Sequence, residues 1–190
     1  RSEADILSDW ERVRDAEVAT EPRARELGGL LTSTLAEVRR EWIARDRVGW
    51  IGRNLPYCGL DELRRLIGEP ERAVLVTTKE GEFARLILDD WRLKLADIQG
   101  KEAGTHKCDN LRALIDAYTT AHGRRPRAWF VEDRFETLEH VTTHPDLEDV
   151  GLFLAAWGYN TPRTRAAAQA GRRVHLLELD RFRRGLRAWL

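Results

Sequence analysis

The chain has 190 residues, 32 basic and 32 acidic side chains and a net charge of zero, enough length for one α/β domain with a small helical addition. At 42% hydrophobic and 34% charged, its composition excludes a disordered or fibrous protein, and the charge balance gives no broad reason to expect nucleic acid or a membrane as partner. No apolar run approaches the ~20 residues that span a bilayer, and the two cysteines, Cys58 and Cys108, lie far apart without a CxxC, which argues against a disulfide framework or a zinc knuckle.

Taken in chain order, the first part is helical in pattern. Ser2 and Asp5 resemble a helix start, Ile6, Leu7 and Trp10 open an apolar stripe, and Pro22 marks a break. From Arg25, Leu27, Leu30, Leu31, Leu35, Val38, Trp42 and Ile43 recur at steps of three and four, which predicts a long amphipathic helix. Gly49 to Gly59 reads as a connector. A helix is predicted from Leu60 to Ile67, closed by Gly68 and Pro70. The period then changes. Ala73 to Thr77 is a short apolar run suited to a strand buried on both faces of a parallel sheet. Predicted next are a helix at Glu82–Trp91, a weak strand at Ala96–Ile98, a helix at Asp109–Thr119, a strand at Arg127–Val131 and a helix from Phe135. A strand at Gly151–Trp157, a helix at Pro162–Ala170, a strand at Val174–Leu179 and a terminal helix complete the chain. Such alternation implies a three-layer α/β/α, Rossmann-like core. The expected division is a helical portion and connector at 1–53 and the α/β core at 54–190.

In parallel sheets ligands bind beyond the carboxyl ends of the strands. The residues there are Thr77, Thr78, Lys79 and Glu80; Glu132, Asp133, Arg134 and Glu136; and Gly158, Tyr159 and Asn160. Hydroxyls and backbone N–H groups at a strand-to-helix turn suit a phosphate, adjacent carboxylates suit magnesium, and Lys107 at a helix start could neutralise the anion. Each also has a plainer reading: Thr77 and Thr78 as helix caps, Glu132 and Asp133 as charge against a helix dipole, Lys107 as a surface lysine.

In their order, the segment AVLVTTKEGEF, then Lys107, then AWFVEDRFETL resemble motifs two, three and four of the haloacid dehalogenase (HAD) superfamily. The likeness is to its phosphoglycolate-phosphatase-like group, including cyanobacterial-type hydrolases, and extends to LFLAAWGYNT and to SEADILSDW, which is similar to the helical cap of such proteins. The resemblance implies a magnesium-dependent phosphatase acting on a small phosphorylated metabolite through an aspartyl-phosphate. It assigns phosphate binding to Thr77, with Thr78 beside it and Lys107 as the motif-three lysine (Lys101 being the alternative). It assigns magnesium to Asp133, supported by Glu132 or Glu136. Catalysis would then rest on Lys107 and Asp133, with a carboxylate nucleophile as the third member. Gly158 and Tyr159 resemble the turn after the next strand.

One departure is large: no apolar strand ends in Asp-x-Asp, the motif that carries the nucleophile and the general acid/base. Asp89-Asp90 and Asp146-x-x-Asp149 have neither that spacing nor a buried strand before them. In this fold the missing strand lies mid-sheet, so its neighbours should be left with unpaired edges. The chain also has no methionine and begins with Arg1, so the 190 residues are expected to be a carboxyl-terminal part, cut inside the cap and inactive alone. The alternative is a non-catalytic binding or regulatory protein that has lost motif one. No secretory signal opens the sequence, and the expected compartment is the cytoplasm. His140 and His144 could share a helix face as metal ligands, but with no third ligand evident and Pro145 following, a metal role is not expected. The arginine-rich end, RFRRGLRAWL, is expected to pack Leu186, Trp189 and Leu190 on the sheet and to solvate its arginines.

Overall fold

The computed structural model describes residues 12, 16, 23–57, 59–68, 73–104 and 106–189. The predicted features at Ser2–Asp5, Ile6, Leu7, Trp10, Pro22, Cys58, Pro70 and Leu190 lie outside them. The chain divides into two compact units, Arg1–Leu55 and Pro56–Leu190.

The described part of the first unit is one 28-residue helix, α1 (Ala24–Ile51). Its non-helical point is Asp46, at φ −151° and ψ 76°, whose carboxylate Oδ1 accepts the Gly49 N–H at 2.8 Å. Asp46 therefore acts as an internal N-cap and restarts the helix. That is why α1 runs on to Ile51, correcting the expectation that the connector begins at Gly49. A Cβ at Gly49 would meet the Asp46 carboxylate, so glycine there leaves room for the capping side chain. Of the predicted apolar stripe, Leu27, Leu30, Leu31, Leu35 and Val38 stand 48–70% exposed, while Trp50 and Ile51 are buried. Replacing Asp46→Ala should cost about 1 kcal/mol through the lost cap, read as a lower thermal midpoint of α-helical circular dichroism.

The second unit is mixed α/β with parallel sheets. It begins with α2 (Leu60–Leu66), at whose start the Glu62 carboxylate accepts the Gly59 N–H at 3.0 Å. The elements that follow are β1 (Val74–Val76), α3 (Gly81–Asp90), β2 (Asp97–Gln99), α4 (Lys107–His122), β3 (Trp129–Glu132), α5 (Phe135–Thr142), β4 (Gly151–Ala155), α6 (Pro162–Ala170), β5 (Val174–Leu177) and α7 (Leu179–Arg183). Short 3-10 turns occupy Lys101–Ala103, Pro145–Leu147 and Leu186–Ala188. Gly123 ends α4 in the left-handed region at φ 67°, a backbone conformation glycine adopts without steric cost. The single terminal helix of the sequence reading is instead broken. Gly185, at φ 89°, separates α7 from the last 3-10 turn.

The strands form two sheets. β1 pairs with β2, Val74 opposite Asp97. β3, β4 and β5 pair in that order, Trp129 opposite Gly151 and Leu152 opposite Val174. β4 is the centre of the larger sheet, and its alternating side chains feed two cores. Leu152 and Leu154 join Leu111, Ile115, Phe130, Leu138 and Val141 on one side. Phe153 joins Leu177 and Trp189 on the other, with Leu66, Phe182 and Leu186 against them. The expected seating of Leu186 and Trp189 is thus observed. Both faces of β4 being buried explains why it reads as an unbroken apolar run.

Among the described residues, β1 has β2 as its pairing partner and β3 has β4, so each keeps one edge unpaired. At β1 the direction of that edge follows from one peptide group. The Thr77 N–H donates to the Gln99 carbonyl of β2 at 2.9 Å. In a trans peptide the carbonyl of the preceding residue points the opposite way, so the Val76 C=O faces away from β2, toward the open edge. No helix among the described residues is long and apolar enough to cross a membrane.

Candidate functional site

That outward carbonyl has a partner. Lys107, the first residue of α4, donates from Nζ to the Val76 carbonyl oxygen at 2.7 Å and lies 3.8 Å from Glu132 Oε2 at the end of β3. The ammonium thus joins the carboxyl ends of β1 and β3. Its side chain is 16% exposed and that of Glu132 12%, so Lys107 is not a surface lysine. Of the two lysines the sequence offered, it is Lys107 whose charge reaches both strand ends.

Glu132 Oε1 accepts the backbone N–H groups of Asp133 and Arg134, both at 3.2 Å. Burial pushes its carboxyl above the ordinary carboxylate range and the adjacent Asp133 carboxyl pushes it further, against the pull of Lys107. Asp133 is aimed by the turn after β4: its Oδ2 accepts the Tyr159 N–H at 2.9 Å. Asn160 locks that turn, its Nδ2 donating to the Asp133 carbonyl at 3.1 Å and to the Ala155 carbonyl at 2.8 Å. The Asn160 Oδ1 accepts from Arg165 at 2.9 Å. Gly158 lies so close to Asp133 that a Cβ there would run into the Asp133 Cβ and come within 2.8 Å of its Oδ2.

Thr77 stands one residue past Val76, half-buried, its Oγ1 accepting the Lys79 N–H at 3.1 Å. Thr78 is exposed. Neither hydroxyl caps α3, whose N-cap position is Glu80. The Gly81 N–H goes instead to the Glu102 carboxylate, at 2.9 and 3.1 Å. Backbone N–H donors, its own and that of Gly81, hold that carboxylate below its ordinary range. Glu136 pairs with Arg134 at 4.0 Å on the exposed side and stands apart from the Lys107–Glu132 pair. The cluster the fold assembles is therefore Lys107, Glu132 and Asp133, with Thr77 one residue past the carbonyl that Lys107 holds.

The sequence reading missed two things. Asn160 was noted as a strand-end residue, but its bridging of two turns was not. The dismissal of His140 and His144 for want of a third ligand is corrected by the fold. Cys108, one residue after Lys107, brings its sulfur to them, and the three ligand atoms lie within 4.8 Å of one another. With 32 positions between Cys108 and His140, no local spacing could have signalled this. A separate concavity of about 230 Å³ is lined by Arg65, Arg183, Arg184 and Arg187.

Fold and cluster together define an α/β protein with parallel strands in which a half-buried helix lysine meets an acid pair at the carboxyl end of β3. Comparison with family models, with curated proteins and with solved structures finds no match to this chain.

Proposed function

We propose that these residues are the greater part of a HAD-type phosphatase: a three-layer Rossmann-like core at 54–190 with a helical cap portion at 1–53, hydrolysing a small phosphate monoester with magnesium. The observation that carries the reading is the Lys107 ammonium bonded to the Val76 carbonyl on the open edge of β1 and paired with the Glu132 carboxylate at the end of β3. A strand laid parallel between them would satisfy both edges. Its carboxyl end would come out beside Thr77, Lys107 and Asp133, where an attacking aspartate is needed. The reading therefore requires that aspartate from a segment beyond these 190 residues.

In this scheme Thr77, with Thr78 beside it, and the backbone N–H groups of their turn hold the phosphoryl oxygens. Lys107 neutralises the charge that builds on them. Asp133 and Glu132 would hold magnesium. Their chemistry fits it: both are hard oxygen donors, and two adjacent carboxyls whose proximity raises the proton affinity of one are relieved by a divalent cation. When bound, magnesium supplies charge stabilisation to the transferring phosphoryl group. Asn160 and the Tyr159 N–H keep Asp133 turned toward that position.

The natural reading frame that contains these residues should release phosphate from a generic monoester with magnesium and not without it, and Asp133→Ala should abolish release. The 190-residue chain by itself should turn nothing over. Magnesium-independent turnover, or activity of the isolated chain, would defeat the reading. Binding of phosphate and magnesium by the longer frame without turnover would favour the binding or regulatory alternative.

A further inference from the structure

The side chains of Cys108, His140 and His144 stand outside the cluster just described. Cys108 is in the first turn of α4 and is 4% exposed. His140 is in the last turn of α5, and His144 lies just past its end. The two rings meet edge to face, centroids 4.9 Å apart at 89°, with their Nε2 atoms 3.5 Å from each other. One sulfur and two imidazole nitrogens converging from two elements are the donor set of a borderline-soft cation, not of magnesium or calcium.

We infer that Cys108, His140 and His144 form a site for a zinc-like divalent cation that clamps the start of α4 to the end of α5. Three protein ligands leave one tetrahedral position, which opens on the solvent side where His140 is exposed. The surroundings suit a cation despite the nearby Arg112. That arginine is taken up by Asp146, at 2.6 and 3.1 Å, and by Asp109 at 3.0 Å, so the trio carries net negative charge. Arg112 also donates to His144 Nδ1 at 2.9 Å, which puts the neutral ring's proton on Nε2. Loading the site shifts that proton to Nδ1 and frees the Nε2 lone pair. Arg112 gives up this one contact and keeps its two carboxylates, and Asp146, already beside it, can take the new Nδ1–H. One metal–sulfur and two metal–nitrogen bonds form, the thiol proton leaves to water, and nothing is oxidised or reduced.

The test is cobalt substitution and zinc titration of the purified 190-residue chain. Expected are one zinc per chain by chelator competition and, with cobalt, a near-ultraviolet thiolate-to-metal band with the strong visible bands of a tetrahedral centre. Excess magnesium should not displace the cobalt. His140→Ala, at an exposed position that leaves the fold intact by circular dichroism, should abolish the bands, as should Cys108→Ser. Cys58→Ser should keep them. No thiolate band in the unaltered chain, a band that survives His140→Ala, or displacement by magnesium would overturn the site. None of these readouts depends on phosphatase activity, so this inference stands or falls apart from that reading.

Discussion

Replacing Lys107→Met should destabilise the second unit by about 3 kcal/mol near pH 7.5, measured by urea unfolding in metal-free buffer. Methionine keeps the length and apolar stem but removes the ammonium. Two half-buried groups then lose their partner at once: the outward Val76 carbonyl, bonded at 2.7 Å, and the Glu132 carboxylate at 3.8 Å. Leaving a carbonyl unsatisfied costs about 1 kcal/mol or somewhat more. Stranding a half-buried carboxylate without its cation accounts for the rest.

The second contribution depends on pH, and its sign can be worked out. Glu132 is already raised above its ordinary 4.5, first by burial and then by Asp133. The folded state therefore holds this proton more tightly than the unfolded chain does. The associated stability is fully present below the unfolded value and is lost as pH rises through the folded one. The groups that face Glu132 are Asp133, Lys107 and the N–H groups of residues 133 and 134. Taking away Lys107 removes the one full positive charge among them and lifts the folded value further. The gap between Lys107→Met and the unaltered chain should thus be about 1 kcal/mol near pH 4.5, the carbonyl alone, and widen toward pH 7.5. A gap that is flat across this range would mean that Lys107 and Glu132 are not coupled.

This pair also shows how far a sequence can be read. The strand at Gly151–Ala155 stands out as an unbroken apolar run because a β-strand buried on both faces leaves no room for alternation. Open edges at the two strands beside the missing Asp-x-Asp run were expected; among the described residues β1 and β3 each have one, as do β2 and β5, the other outer strands of the two sheets. What the sequence could not supply is what fills the opening. That depends on a lysine 31 positions from Val76, a separation at which no periodicity operates. The helix boundaries failed for local reasons. Asp46 restarts α1 by capping Gly49, while Gly185 stops α7 by turning left-handed. Each is a single-residue device within a pattern averaged over many. The histidine pair failed for a tertiary reason, since its third member lies on another helix.

Gly158→Ala should cost about 3 kcal/mol in urea unfolding. The atom it would strike, the Asp133 Cβ, is anchored directly to backbone, so no rotamer change relieves the overlap. The turn after β3 and the turn after β4 must separate instead. Separation breaks the Tyr159 N–H bond to Asp133 Oδ2 at 2.9 Å and pulls the Asn160 amide off the Asp133 carbonyl at 3.1 Å. On the proposed reading, magnesium binding through Asp133 should weaken together with stability. Gly171→Ala supplies the control. Gly171 ends α6 at φ −77°, which alanine tolerates, and a Cβ there meets nothing nearer than the Ala167 carbonyl at 3.4 Å. That change should be neutral or stabilising by up to about 1 kcal/mol, through a less flexible unfolded chain. If the two substitutions behave alike, the two turns do not meet at Gly158, and Asp133 has nothing to aim it.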